Sequence, residues 1–276
     1  MSPHPSPLAA EAEAFFRNLQ GRIISKFQAL EMEETFSITP WSKQPGEMLQ
    51  GGGITALIRG QVFEKMGVNF SCVHGTFPEA FRKEIPGAVE SEGRFWASGV
   101  SLVCHPANPH VPGVHLNVRR IETSRGWFGG GADLTPAIPY EVDTTHFHNT
   151  LHTACDAYST ESYAKFSKWC DDYFFIPHRD EARGAGGIFF DYLEDRPAET
   201  FEFVQNVGQS FLSAYLPLVA TRMDTSFTPD ERHTQLLKRG RYAEFNLMYD
   251  RGTRFGLQSG GNIDAILMSL PPLAAW

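Results

Sequence analysis

Residues 101–119 read SLVCHPANPHVPGVHLNVR, and the second half of this stretch decides the fold. From Val114 onward apolar and polar residues alternate strictly, which predicts a strand over 114–121. Val114, Leu116 and Val118 point to one side. His115, Asn117 and Arg119 point to the other, in a row. A proton-transfer group, an amide and a fixed cation on one face make a surface aimed at a ligand. The alternative is an edge strand facing water, but such faces more often carry Lys, Glu and Thr. The first half holds Pro106, Pro109 and Pro112, a density that no helix or central strand survives. This rigid loop can bring His105 back over the face that carries His115.

Working outward, further strands are expected at 68–73, 95–104, 127–134 and 186–193. Short connections containing Gly, Pro or Asn argue antiparallel pairing. Alternation also predicts strands at 242–249 and 253–258. Helical spacing appears over 8–36, 143–157, 161–174 and 199–222, and a short helix is expected from Ile263. Thr228-Pro229-Asp230-Glu231 has the form of a capping box. Gly51-Gly52-Gly53 reads as a break, and the Pro-rich residues 1–7 are expected to fray. Strands and helices in separate runs, with no repeat and no linker, argue an α+β fold. The expectation is one domain over 1–276, a large and mostly antiparallel β-sheet flanked on both faces by α-helices.

The net charge of −8 over 276 residues gives no reason to expect a nucleic-acid partner. Cys72, Cys104, Cys155 and Cys170 form no C-x-x-C, so zinc-ribbon and thioredoxin readings fail and free thiols are expected. The N-terminal residues lack the basic and apolar regions of a signal peptide, and no segment approaches a transmembrane span. A cytoplasmic protein is expected.

Several motifs are superficial. Gly51-x-Gly53-x-x-Ala56 matches a dinucleotide fingerprint in form only, since no apolar strand precedes it. His178-Arg179-Asp180 lacks the partners of a kinase catalytic loop. His148 and His152 have metal-ligand spacing, but no Glu lies between them as in H-E-x-x-H. The run Gly129-Gly130-Gly131 before Asp133 fits a strand that a ligand must approach closely, or a Gly-rich turn capped by Asp133. Asp250 and Arg251 close a strand at a turn, with Arg254 beyond. No nucleophile elbow is present. The residues thus outline a glycine-walled pocket with His, Asp and Arg, suited to a carboxylate-bearing ligand. They do not name a reaction.

The pattern H-P-x-N-P-x-x-P-x-x-H-x-N-x-R stands complete in His105, Pro106, Asn108, Pro109, Pro112, His115, Asn117 and Arg119. Further blocks are GGGADLTP from Gly129, KWCDDYFFIPHR from Lys168, GGIFFDYL from Gly186 and RGRYAEFNLMYDRGTRFGLQ from Arg239. Together they resemble the oxygen-dependent coproporphyrinogen III oxidases. The resemblance implies oxidative decarboxylation of coproporphyrinogen III to protoporphyrinogen IX in haem biosynthesis, with molecular oxygen as co-substrate and hydrogen peroxide as product. It implies a homodimer and no required cofactor. It makes His115 the proton donor, with Asp250 first and Asp133 second as acceptors for the pyrrole N–H groups. Ser101, Asn117, Val118, Arg119, Arg251 and the turn Gly260-Gly261-Asn262 match substrate-binding positions. The family usually has Arg where this chain has Asn262, and it usually continues beyond Trp276. His105, His115, His148 and His178 match positions that gather a divalent metal in bacterial members, an ion not expected to be essential. Two other readings are a tetrapyrrole carrier without chemistry and a His-dependent metalloenzyme.

Overall fold

A computed structural model describes residues 6–44, 46, 49–258 and 262–276. The chain opens with helix α1 (Pro7–Gln28), followed by strands β1 (Ser37–Ser42), β2 (Leu49–Ile58) and β3 (Lys65–Thr76). A short α2 (Glu79–Arg82) leads to β4 (Arg94–His105), β5 (Gly113–Glu122) and β6 (Gly126–Thr135). Helices α3 (Glu141–Asp156) and α4 (Ser162–Tyr173) precede the small hairpin β7 (Phe175–Ile176) and β8 (Glu181–Ala182), then β9 (Gly186–Leu193). Helices α5 (Pro197–Arg222), α6 (Pro229–Met248), α7 (Arg251–Gln258) and α8 (Ile263–Ile266) complete it, with a 3-10 turn at Leu267–Ser269. Seven strands form one sheet in the order β1-β2-β3-β4-β5-β6-β9, and every pairing is antiparallel.

Alternation gives this sheet two unlike faces. On one, Val68, Phe70, Val100, Leu102, Leu116, Val118 and Phe128 are buried under α1 and α5. Phe27 of α1 stacks on Phe211 and Tyr215 of α5, and Phe128 stacks on Phe201. Among the polar side chains buried there, Gln20 gives both amide protons to the carbonyls of Ile54 and Val68, and Arg120 lies over the Phe128 ring. Helix α4 rides on the edge strand β9, with Phe166 against Phe190 and Tyr173 against Phe189. The other face is polar along β5 and is partly covered by α7, α8 and the 3-10 turn, so helices do flank both sides.

Several boundaries differ from expectation for local reasons. Residues 242–249 and 253–258 are not strands but parts of α6 and α7. In 242–249 the apolar residues also recur at helical spacing, and Tyr242, Ala243, Phe245 and Asn246 are the buried ones. The capping box at Thr228 forms as expected, and the helix it starts runs through them. Asp250 accepts from the backbone N–H of Thr253 at 2.6 Å, which starts a new turn of helix rather than a hairpin. Helix α1 stops at Gln28 because its side chain captures the backbone of Phe36 and Glu34. Gly51–53 is no break: these residues lie inside β2, where the ring of Trp41 occupies the place a Cβ on Gly53 would need. Of residues 1–7, expected to fray, Ser6 and Pro7 form the cap and first turn of α1; residues 1–5 lie outside the described residues.

The segment after Asn262 is strapped to the polar face by side chains that donate to its backbone. Asn69 donates to the Ala265 carbonyl at 2.6 Å, Lys65 to Leu270 at 2.7 Å, and His105 Nε2 to Ser269 at 2.8 Å. Met268 fills the space above Gly67. Burial, with a smaller push from Arg59, brings the Lys65 amine down to about 8. Lys65→Met leaves the Leu270 carbonyl without its donor. It should cost about 1–3 kcal/mol and abolish hydrogen-exchange protection over 262–270, measured against unchanged protection of α1.

Candidate active site

The register of β4, β5 and β6 stacks the polar residues in rows. His115 lies opposite Val103 and Asp133, Asn117 opposite Ser101 and Gly131, and Arg119 opposite Gly99 and Gly129. The expected glycine-walled opening is filled by the protein itself: a Cβ on Gly99 or Gly129 would meet the Arg119 side chain, and one on Gly131 the Ile188 carbonyl.

The first row carries a buried charge relay. His115 Nδ1 is 2.9 Å from Asp133 Oδ1, and Arg183 donates to Asp133 Oδ2 at 2.6 Å. Side-chain exposure falls from 20% at His115 to 3% at both Asp133 and Arg183, so only the histidine end meets solvent. The guanidinium of Arg183 lies 3.8 Å from the ring centre of Phe174, 4.8 Å from Tyr242 and 4.9 Å from Phe245. Burial alone would raise the Asp133 carboxyl, but the charge of Arg183 and the contact with His115 outweigh it and hold it below the usual range. An ionised Asp133 fixes Nδ1 as the donor nitrogen and leaves the ring's lone pair on Nε2.

The second cluster surrounds Arg119. It donates to Asn117 Oδ1 at 2.6 Å and to Asp191 Oδ2 at 2.7 Å. Arg119 is therefore not an open fork: one carboxylate already sits on it. Val118, between Asn117 and Arg119, points into the core, so only its main chain lies on this side. Asp250 accepts from the Tyr173 hydroxyl at 3.0 Å, and Tyr173 stacks on Phe189 at 4.2 Å, beside Gly131. Arg251 lies 5.1 Å from the Tyr173 ring centre. Asn262 caps α8 through the Ala265 N–H, while Gly260 and Gly261 lie outside the described residues.

The four histidines of the proposed metal set do not converge. His148 uses both ring nitrogens, with the Tyr163 hydroxyl at 2.7 Å and the Ala185 carbonyl at 2.9 Å. His178 is held between Tyr249 and Glu244. His105 is buried on Ser269, and desolvation pushes it down to about 3. His115 belongs to Asp133. Among the described residues no three His, Cys, Asp or Glu side chains are grouped to hold a metal. Within one chain this donor set does not fit a shared ion.

Sequence reasoning missed Arg183, Asp191 and Tyr173. The signal for Asp191 was its parity in GGIFFDYL, which puts it on the same face as Phe189. Nothing near Arg183 in the sequence points to Asp133, because the contact spans 50 residues. Asp133→Asn should keep the fold recognisable and lower turnover by about 100-fold or more, with substrate affinity far less affected. Steady-state kinetics checks this, and a change in affinity alone would remove the relay from the chemistry.

The family sequence model described as Coproporphyrinogen III oxidase matches residues 11–276. The oxygen-dependent coproporphyrinogen-III oxidase of Rickettsia bellii (strain OSU 85-389) is 47% identical over 273 residues, covering 95% of this chain and 96% of that protein. That of Rickettsia akari (strain Hartford) is 48% identical over 268 residues, covering 94% of each. Among the described residues no helix is long and apolar enough to cross a membrane. With a match over nearly its whole length, the chain belongs to the coproporphyrinogen III oxidase family.

Proposed function

We propose that this chain decarboxylates coproporphyrinogen III oxidatively to protoporphyrinogen IX, acting as a single domain within a cytoplasmic homodimer. For each propionate, one oxygen molecule and one proton are consumed, and a vinyl group, carbon dioxide and hydrogen peroxide are formed. The hydride equivalent lost from the β-carbon goes to oxygen, and the electron pair of the breaking C–C bond becomes the vinyl π bond. The observation that carries an enzyme over a carrier is the buried Arg183–Asp133–His115 relay. Binding a porphyrinogen needs no oriented imidazole, whereas a proton delivered at one place does.

The macrocycle lies over the polar row of β5, between Phe189 and the C-terminal helices. Arg119 and Arg251 receive the reacting carboxylate. Asp250, steadied by Tyr173, accepts pyrrole N–H groups and favours charge on the ring. Asp133, with both oxygens engaged inside the protein, acts through His115 rather than on the pyrrole. The electron-rich pyrrole supplies the electrons to oxygen, so no cofactor enters the scheme. Asn262 cannot supply the charge of an Arg, which leaves that propionate to Arg251 or Arg254. The exposed Leu247, Met248, Leu257 and Ile263 on α6–α8 offer an apolar surface for the second subunit.

The decisive assay mixes exhaustively chelated protein with coproporphyrinogen III in air and under argon, following porphyrin products by fluorescence together with oxygen uptake. Turnover is expected in air alone. Binding without product means a carrier, and activity that needs metal added back means the metalloenzyme. Arg119→Ala should cost about 2–5 kcal/mol in kcat/KM, with Lys rescuing only part because it lacks the planar fork. Wild-type kinetics in the Ala variant would take Arg119 out of the site.

A further inference from the structure

Asp191 is placed with care that the fold itself does not need. Phe128 pairs with Leu193 and Gly130 with Phe190, so Gly129 alone faces two residues, Asp191 and Tyr192: a β-bulge in the edge strand. Tyr192 adopts φ +54°, in the left-handed region that an aromatic residue rarely enters. That conformation brings the Tyr192 N–H to 3.0 Å from Asp191 Oδ1, which fixes the carboxylate. Its other oxygen meets Arg119 at 2.7 Å. Beneath the pair, a Cβ on Gly129 would stand 2.5 Å from Asp191 Oδ1 and 3.0 Å from the Arg119 guanidinium. A bulge, a left-handed residue and a missing side chain all serve one contact. Arg251 is the other charge that Asp191 feels from the facing helix.

We propose that Asp191 is a resident counter-ion that moderates the grip of Arg119 on substrate carboxylates. The proposal rests on the reading that Arg119 binds a propionate. Side-chain exposure is 26% for Arg119 and 9% for Asp191, so a ligand reaches the cation and not the anion behind it. Arg119 spends one donor on Asn117 and one on Asp191, and its remaining donors take the propionate. The bound carboxylate is then one of two sharing a cation, and it is held less tightly than by a bare guanidinium. When it leaves as carbon dioxide, Arg119 keeps a partner instead of seizing one of the propionates that remain. The macrocycle is free to leave or to turn a second propionate into the site. Asp191 is thus a positioning residue that sets affinity against release.

The test measures binding of coproporphyrin III and protoporphyrin IX by fluorescence, and turnover, in wild type, D191N, D191E, R119A and the D191N/R119A double variant. D191N is expected to bind both porphyrins about tenfold tighter and to lower kcat and KM together by a similar factor. D191E should restore wild-type behaviour, and the D191N effect should vanish when Arg119 is absent. D191S, which keeps an acceptor for the Tyr192 N–H, gives the same reading if D191N does not fold. Unchanged or weaker binding in the folded Asn or Ser variant overturns the proposal, as does an effect that persists without Arg119. Loss of carboxylate-dependent binding in none of the Arg119 variants would instead overturn the role of Arg119 itself.

Discussion

The contact between Arg183 and Asp133 is the constraint on which the rest of the site depends. Taking both charges out of water costs several kcal/mol per ion before their attraction is counted. The pair survives because Asp133 is also bonded to His115, and because the guanidinium lies against Phe174, Tyr242 and Phe245. These rings come from the end of α4 and from α6, so the same cation that holds Asp133 ionised also ties those helices to the sheet. Removing either partner strands the other in an apolar setting. The linkage to pH follows from the depressed Asp133 carboxyl. Its contribution to stability is complete above the ordinary carboxylate range and is lost as pH falls through the lower folded-state value.

The sheet keeps its two faces for different work. Under α1 and α5 it is packed with aromatic and branched residues, and among the polar groups buried there Gln20 is met by two backbone carbonyls and Arg120 by Glu122. On the opposite side His115, Asn117 and Arg119 are spaced by the pleat, with glycines at Gly99, Gly129 and Gly131 across from them. A strand offers such a row at a fixed two-residue spacing, which a loop does not. Each polar side chain is also braced before any ligand arrives: His115 by Asp133, Arg119 by Asn117 and Asp191, Tyr173 by Asp250. Bracing of this kind removes part of the ordering cost of binding.

Much of this was legible in the chain, and the rest was not for identifiable reasons. The strand at 114–121 and its polar face followed from alternation alone, because one buried and one wet face leave a period of two. The strand 186–193 and the Thr228 capping box followed from equally local rules. Residues 242–249 misled because an alternating octad that also places Tyr242, Phe245 and Tyr249 at helical spacing satisfies both periods; the run from Thr228, and its packing around Arg183, decided for helix. Asp250 was read as a hairpin residue and instead starts helix α7, since a carboxylate can cap a turn or a helix alike. Arg183 was invisible for another reason: its meaning lies in a contact 50 residues away, and no local pattern encodes that. Asp191 showed its face by parity but not its partner Arg119.

The placement of the histidines shows how far a shared motif carries a role. His105 and His115 belong to one signature, yet the structure puts them to opposite uses. His115 reaches solvent on one side and rests its Nδ1 on the Asp133 carboxylate. His105 is buried beside Lys65 and Arg239, and both of those charges, added to desolvation, favour its neutral form. A neutral His105 donating Nε2–H to Ser269 is a structural strut for the strap over the polar face. Acid would have to place a charge on that strut against its surroundings, so His105 stays neutral well below the ordinary imidazole range. The two rings of the motif thus take separate partners, His105 the strap over the polar face and His115 the carboxylate of Asp133.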